Sequence, residues 1–136
     1  MDSEASKIIV YIEDDPEMID LVSLILNKRG YQVKGATGGR HGLDLVKKLA
    51  NEDQEKPTLV LLDLMMPDMD GWDVYQLLKS EETTRDIPVI IITAKAQSID
   101  RVLGLHIAKV DDYISKPFRP QELIDSIEHV LATQSK

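Results

Sequence analysis

Three stretches of the chain are apolar without a break: Ile8-Ile9-Val10-Tyr11-Ile12, Leu59-Val60-Leu61-Leu62 and Val89-Ile90-Ile91-Ile92, with a shorter one at Tyr113-Ile114. Runs of this length, lacking the alternation of a half-exposed strand, predict strands covered on both faces. The segment Tyr31-Gln32-Val33-Lys34-Gly35-Ala36 mixes polar and apolar positions and predicts a strand with less cover, at the edge of a sheet. Between the first two strands, Met18, Leu21, Val22, Ile25 and Leu26 recur at intervals of three and four, on one stripe of a helix. Asp15-Pro16 gives that helix an N-cap and a first-turn proline, and Lys28-Arg29-Gly30 ends it with basic charge and a glycine. Further helices are predicted from about Arg40 to Ala50, Trp72 to Ser80 and Pro120 to Leu131, with a less regular one near Ser98 to Ile107.

Five strands alternating with five helices predict right-handed crossovers and a parallel sheet between two helical layers, an α/β three-layer sandwich of the (βα)5 kind. The second and fifth strands are the least apolar and belong at the edges, which agrees with the doubly wound order 2-1-3-4-5. With 136 residues and 43% hydrophobic content, the chain suits one core, built from Ile, Leu and Val because one Phe and one Trp occur. The expected division is a flexible N-terminus over 1–6, the domain over 7–133 and a tail over 134–136. Asn51-Glu52-Asp53-Gln54-Glu55-Lys56-Pro57 reads as a charged surface loop.

Cysteine is absent, so no disulfide or thiolate metal site exists, and a reducing cytoplasm fits. The first residues are acidic where a signal peptide needs basic charge, and the apolar run after them stops at Glu13, far short of a membrane span. No membrane contact is expected. A net charge of -8 argues against binding to the phosphate backbone of DNA, and no nucleic-acid partner is expected either.

In an open parallel sheet the binding crevice lies beyond the carboxyl ends of the strands. There the first strand delivers Glu13, Asp14 and Asp15, the third Asp63, the fourth Thr93, and the fifth leads through Ser115 to Lys116-Pro117. Carboxylates converging from two strand ends repel one another unless a cation intervenes, and an oxygen donor set without His or Cys favours Mg²⁺. Asp15 reads equally as a helix cap, and Glu13 and Asp14 as loop residues. Asp63 ends a buried strand and precedes the turn-rich Met66-Pro67-Asp68-Met69-Asp70-Gly71. A carboxylate held there beside a metal can attack phosphorus and form an acyl phosphate. Thr93 offers a hydroxyl and Lys116 an ammonium to the incoming phosphoryl oxygens.

Glu13-Asp14-Asp15, Leu61 to Gly71, Thr93-Ala94 and Asp111-Asp112-Tyr113-Ile114-Ser115-Lys116-Pro117-Phe118 together resemble the response-regulator receiver family of two-component signalling, a flavodoxin-like fold. The similarity runs from about Lys7 to the last helix. It implies that Asp63 is the phosphoacceptor and that Asp14, Asp63 and the backbone carbonyl of Met65 bind Mg²⁺, with Glu13 acting through water. It also implies that Lys116 contacts the phosphoryl group, that the Lys116–Pro117 peptide is cis, and that Thr93 and Tyr113 switch the face of the fourth helix, fifth strand and fifth helix. The implied partners are a histidine kinase or histidine phosphotransfer protein upstream, and a downstream protein or a second copy at that face. Met65 and Lys95 stand at positions that tune dephosphorylation in similar proteins. Lys109-Val110 departs from the family, which often has Gly-Ala there.

Such a protein is a signalling receiver that catalyses its own phosphorylation and slow dephosphorylation rather than an enzyme acting on other molecules. A hydrolase on this scaffold is disfavoured, because Met65 stands where similar phosphatases carry a second Asp. A pseudo-receiver, used as a binding or dimerisation module without phosphorylation, is the alternative. Ile99, Val102, Leu103, Leu105 and Ile107 make the fourth helix apolar over more than one face, which suits either a partner surface or a loosely covered helix. With the sequence ending at Lys136, no output module is expected, and the chain reads as a stand-alone regulator or a domain of a longer protein.

Overall fold

A computed structural model describes residues 7–52, 55–94 and 110–134. In chain order the described residues form β1 (Lys7–Ile12), α1 (Pro16–Asn27), β2 (Tyr31–Ala36), α2 (Gly39–Asn51), β3 (Leu59–Leu62), α3 (Gly71–Ser80), β4 (Val89–Thr93), β5 (Asp112–Ser115) and α4 (Pro120–Gln134). The helix expected near 98–107 lies outside these residues, with Ile99, Val102, Leu103, Leu105 and Ile107, as do Lys95, Lys109 and the N-terminal segment 1–6. The helix labelled α4 is therefore the fifth of the sequence pattern. It continues past Leu131 to Gln134, into the segment expected as a tail.

The five strands are all parallel, in the order β2-β1-β3-β4-β5, so the two least apolar strands do lie at the edges. Successive side chains of a strand point to opposite faces, and both faces here are covered, which is why the central strands carry unbroken apolar runs at residues 8–12, 59–62 and 89–92. Ile8, Val10 and Ile12 of β1 join Val60, Leu62 and Ile91 in a layer with Leu43 and Val46 of α2 and Val74 and Leu78 of α3. Ile9 and Tyr11 join Leu59, Leu61, Ile90 and Ile92 in the opposite layer, against Val22 and Leu26 of α1 and Leu123, Ile127 and Val130 of α4.

Asp15 caps α1 as its sequence position suggests, its Oδ1 accepting from the Glu17 N–H at 3.0 Å. The N-cap of α2 is Gly38, at a φ of 126° that favours glycine, and it has no side chain with which to cap. That role passes to Asp68, which lies beyond β3. Its Oδ1 accepts from Gly39 N at 3.0 Å and its Oδ2 from Arg40 N at 3.2 Å. These backbone hydrogen bonds hold the Asp68 carboxyl below its ordinary range. The start of α2 is thereby fastened to the loop that follows Asp63.

Candidate functional site

The hydrogen-bond ladder of the sheet runs one residue past several strands and so fixes the side chains at their carboxyl ends. Glu13 N donates to Ala36 O at 3.0 Å, Asp63 N to Ile12 O at 3.0 Å, and Lys116 N to Thr93 O at 3.1 Å. One carboxylate oxygen from each of Glu13, Asp14 and Asp63 lies within 4.8 Å of the others. Asp63 is 3% exposed and Glu13 1%, while Asp14 is open to solvent. Thr93, at the end of the neighbouring β4, is fully buried. Asp15, the third acid of the run, is taken up by its capping role.

Lys116 reaches into this group from beyond β5. Its Nζ lies 2.6 Å from Glu13 Oε1 and 3.1 Å from Asp63 Oδ2. Glu13 Oε1 also accepts from the Tyr11 hydroxyl at 2.9 Å, and Oε2 accepts from Asp15 N at 3.1 Å, so both oxygens are held by the protein. Burial pushes the Glu13 carboxyl above its ordinary range, with the charge of Asp63 adding to the push and the Lys116 and Tyr11 hydrogen bonds opposing it. Burial would lower the Lys116 ammonium, yet the hydrogen bonds and charges of Glu13 and Asp63 outweigh it and hold Lys116 above its usual value. With all three carboxyl groups ionised, one ammonium leaves two negative charges in excess. A hard divalent cation with oxygen ligands fits that excess and that donor set.

Beyond β3 the chain is shaped around Asp63. Met65 N donates to Asp63 Oδ1 at 3.0 Å, which leaves the Met65 side chain exposed beside the site. The loop returns at α3, capped by Asp70, whose Oδ1 accepts from Trp72 N at 2.8 Å. Gly71 N donates to Leu64 O, and a Cβ at Gly71 would fall 2.5 Å from Asp63 O and from Leu64 Cα. A glycine is required for α3 to begin so close to Asp63.

The structure brings Glu13, Asp14, Asp63 and Lys116 into one cluster and sets Thr93 on the adjoining strand. Tyr113 is buried in the same layer as Val60, Leu62 and Ile91. The Lys116–Pro117 peptide is cis. A groove of about 450 Å³ follows β5 and α4, lined by Asp112, Ser115, Glu122, Asp125, Ser126 and His129. Two contributors were not foreseen. Tyr11 counts as one more apolar residue in a strand, and its sole distinguishing signal is a hydroxyl two positions before an acid. Asp68 looks like an ordinary turn residue, and no local pattern ties it to Gly39.

The chain matches the family described as response regulator receiver domain over residues 9–128. It belongs to that family. This receiver domain is 40% identical over 123 residues to the "DNA-binding dual master transcriptional regulator RpaA" of Synechocystis sp., covering 90% of this chain and 48% of that one. It is 36% identical over 124 residues to the "DNA-binding response regulator MtrA" of Mycolicibacterium smegmatis, covering 91% and 50%. Among solved structures, a CheY-like receiver domain protein from Methanospirillum hungatei superposes with a TM-score of 0.81 at 30% identity, covering 96% of this chain and 98% of that one. The protein is a two-component signalling receiver, and among the described residues no helix is long and apolar enough to cross a membrane.

The receiver spans about half the length of the curated relatives it matches. The expectation that nucleic acid plays no part is overturned by those relatives, which are named as DNA-binding. A charge of -8 describes these 136 residues alone.

Proposed function

We propose that Asp63 accepts a phosphoryl group from a phosphohistidine on a histidine kinase or histidine phosphotransfer protein, with Mg²⁺ required. The observation that carries this reading is the position of Asp63: buried at a strand end, hydrogen-bonded on both oxygens, and grouped with Glu13 and Asp14. Asp14, Asp63 and the Met65 carbonyl would hold the ion, with Glu13 assisting through water. Bound there, Mg²⁺ offsets charge on the phosphoryl oxygens.

An Asp63 oxygen attacks phosphorus, the P–N bond to the donor imidazole breaks as the O–P bond forms, and the imidazole nitrogen recovers a proton. The Met65 N–H holds Asp63 Oδ1 in orientation. Lys116, paired with Asp63 Oδ2 beforehand, is placed to move its ammonium onto a phosphoryl oxygen once that carboxylate has become an acyl phosphate. The added charge of about -1.5 to -2 attracts the Thr93 hydroxyl, and Tyr113, packed nearby on β5, couples that shift to the outer face of β5 and α4. We infer that a nucleic-acid-binding effector reads this face, in line with what the relatives are named for.

Incubation with Mg²⁺ and a small acyl phosphate should add one acid-labile phosphoryl group, and Asp63→Asn should abolish it. Equal labelling of the Asn variant would remove Asp63 from the role. No labelling of the native chain would favour a receiver that works without phosphorylation.

A further inference from the structure

Tyr11 lies in the middle of the sheet, its ring packed in the layer formed with Val22, Leu26 and Leu61. It is wholly buried, and the ring alone would satisfy that apolar surrounding. The hydroxyl is what a phenylalanine would lack, and a buried hydroxyl without an acceptor is costly. Tyr11 and Glu13 stand two residues apart at the end of β1, so their side chains leave the chain on the same side. The ring spans the distance, and the hydroxyl meets Glu13 Oε1 at 2.9 Å.

We infer that Tyr11 is a positioning residue for the acidic site, its hydroxyl fixing the Glu13 carboxylate in the orientation from which Glu13 restrains Lys116 beside Asp14 and Asp63. Three donors from three places surround this carboxylate: the Tyr11 hydroxyl and Lys116 Nζ on Oε1, and Asp15 N on Oε2. A second lysine in place of Tyr11 would hold Glu13 but cancel the negative charge that a cation needs. A neutral hydroxyl holds it and leaves the charge intact. The phenol donates this hydrogen bond in its neutral form, which is the form that carries the proton. The orientation then passes outward, since Lys116 is shared between Glu13 Oε1 and Asp63 Oδ2.

This inference rests on the proposed Mg²⁺-dependent phosphorylation of Asp63. The test compares the full chain with Tyr11→Phe by calorimetric titration with Mg²⁺, and by phosphorylation from a small acyl phosphate at low and at saturating Mg²⁺. Loss of a group that orients a metal-site side chain weakens metal affinity by about tenfold. The expected result is that loss in Tyr11→Phe, with the rate restored at saturating Mg²⁺ and metal-free thermal unfolding little changed, a split that a structural role alone would not produce. In a Glu13→Ala background, removing the hydroxyl should add no further loss of affinity. In the unaltered protein, the Tyr11 ring resonances should shift on Mg²⁺ titration with the calorimetric midpoint. Native affinity in Tyr11→Phe, an equal additional loss in the Glu13→Ala background, or unmoved Tyr11 resonances would each overturn the role of Tyr11 while leaving Asp63 phosphorylation intact. A native chain that neither binds Mg²⁺ nor accepts a phosphoryl group would overturn both.

Discussion

Replacing Lys116 with methionine keeps the stem of the side chain and removes the ammonium that Glu13 and Asp63 share at 2.6 and 3.1 Å. Glu13 is 1% exposed, so without that partner its charge is relieved by taking up a proton. Holding a proton at pH 7 on a carboxyl whose ordinary value is 4.5 costs about 1.4 kcal/mol for each pH unit, or about 3 kcal/mol in total. That agrees with the range of about 3–5 kcal/mol for breaking a buried ion pair. At pH 5 the same proton costs under about 1 kcal/mol. The sign follows from linkage. Removing the ammonium raises the folded-state Glu13 carboxyl further above its unfolded value, and a carboxyl so raised loses its stabilising contribution as pH climbs toward the folded value. The deficit of Lys116→Met relative to the native chain, whose Glu13 is already raised, should therefore grow from pH 5 to pH 7 by up to about 3 kcal/mol. Urea unfolding of both proteins in chelator at the two pH values measures it. An equal deficit at both values, or a variant as stable as the native chain at pH 7, would refute the reasoning.

Two further outcomes follow from the glycine-lined start of α2. A Cβ at Gly42 would lie 2.5 Å from two carbons of Ile12, so Gly42→Ala should destabilise by about 1–2 kcal/mol, overpacking outweighing a gain in helix propensity of up to about 1 kcal/mol; a higher melting temperature would contradict this. The Asp68 carboxyl is held below its ordinary 3.8 by the N–H groups of Gly39 and Arg40, so its contribution is present above that value and lost as pH falls through the depressed one. The melting-temperature gap between the native chain and Asp68→Asn should thus be widest above about pH 5 and close in stronger acid; a gap independent of pH would rule the cap out.

The sheet was legible because burial on both faces leaves an unbroken apolar run, and Leu59–Leu62 and the first four residues of Val89–Thr93 carry that mark. Tyr31–Ala36 showed its edge position through Gln32 and Lys34, which sit where a covered strand would need apolar side chains. The acids of the site were legible for a topological reason, since parallel strands bring all their carboxyl ends to one side. Apart from the Tyr11 hydroxyl, whose acceptor is two residues away, what escaped notice depends on contacts between distant residues. The Asp68 cap joins positions 28 and 29 residues apart, and the tie from Lys116 to Glu13 spans 103. Helix starts shifted by a residue where the first turn begins with glycine, at Gly39 and Gly71, because an apolar stripe carries no information about a cap supplied from elsewhere. The partner class was misread because net charge reports on the surface that carries it, and this receiver spans half of its DNA-binding relatives.

Borrowing its cap from Asp68 makes the first turn of α2 a dependant of tertiary assembly. Gly38 brings no capping side chain, so that turn is secured only when β3 and the loop after it have docked. The turn and the loop accordingly open together as one cooperative unit. Amide exchange at Gly39 and Arg40 thus becomes a remote gauge of how firmly the loop beside Asp63 is closed, readable from residues that touch neither metal nor phosphate.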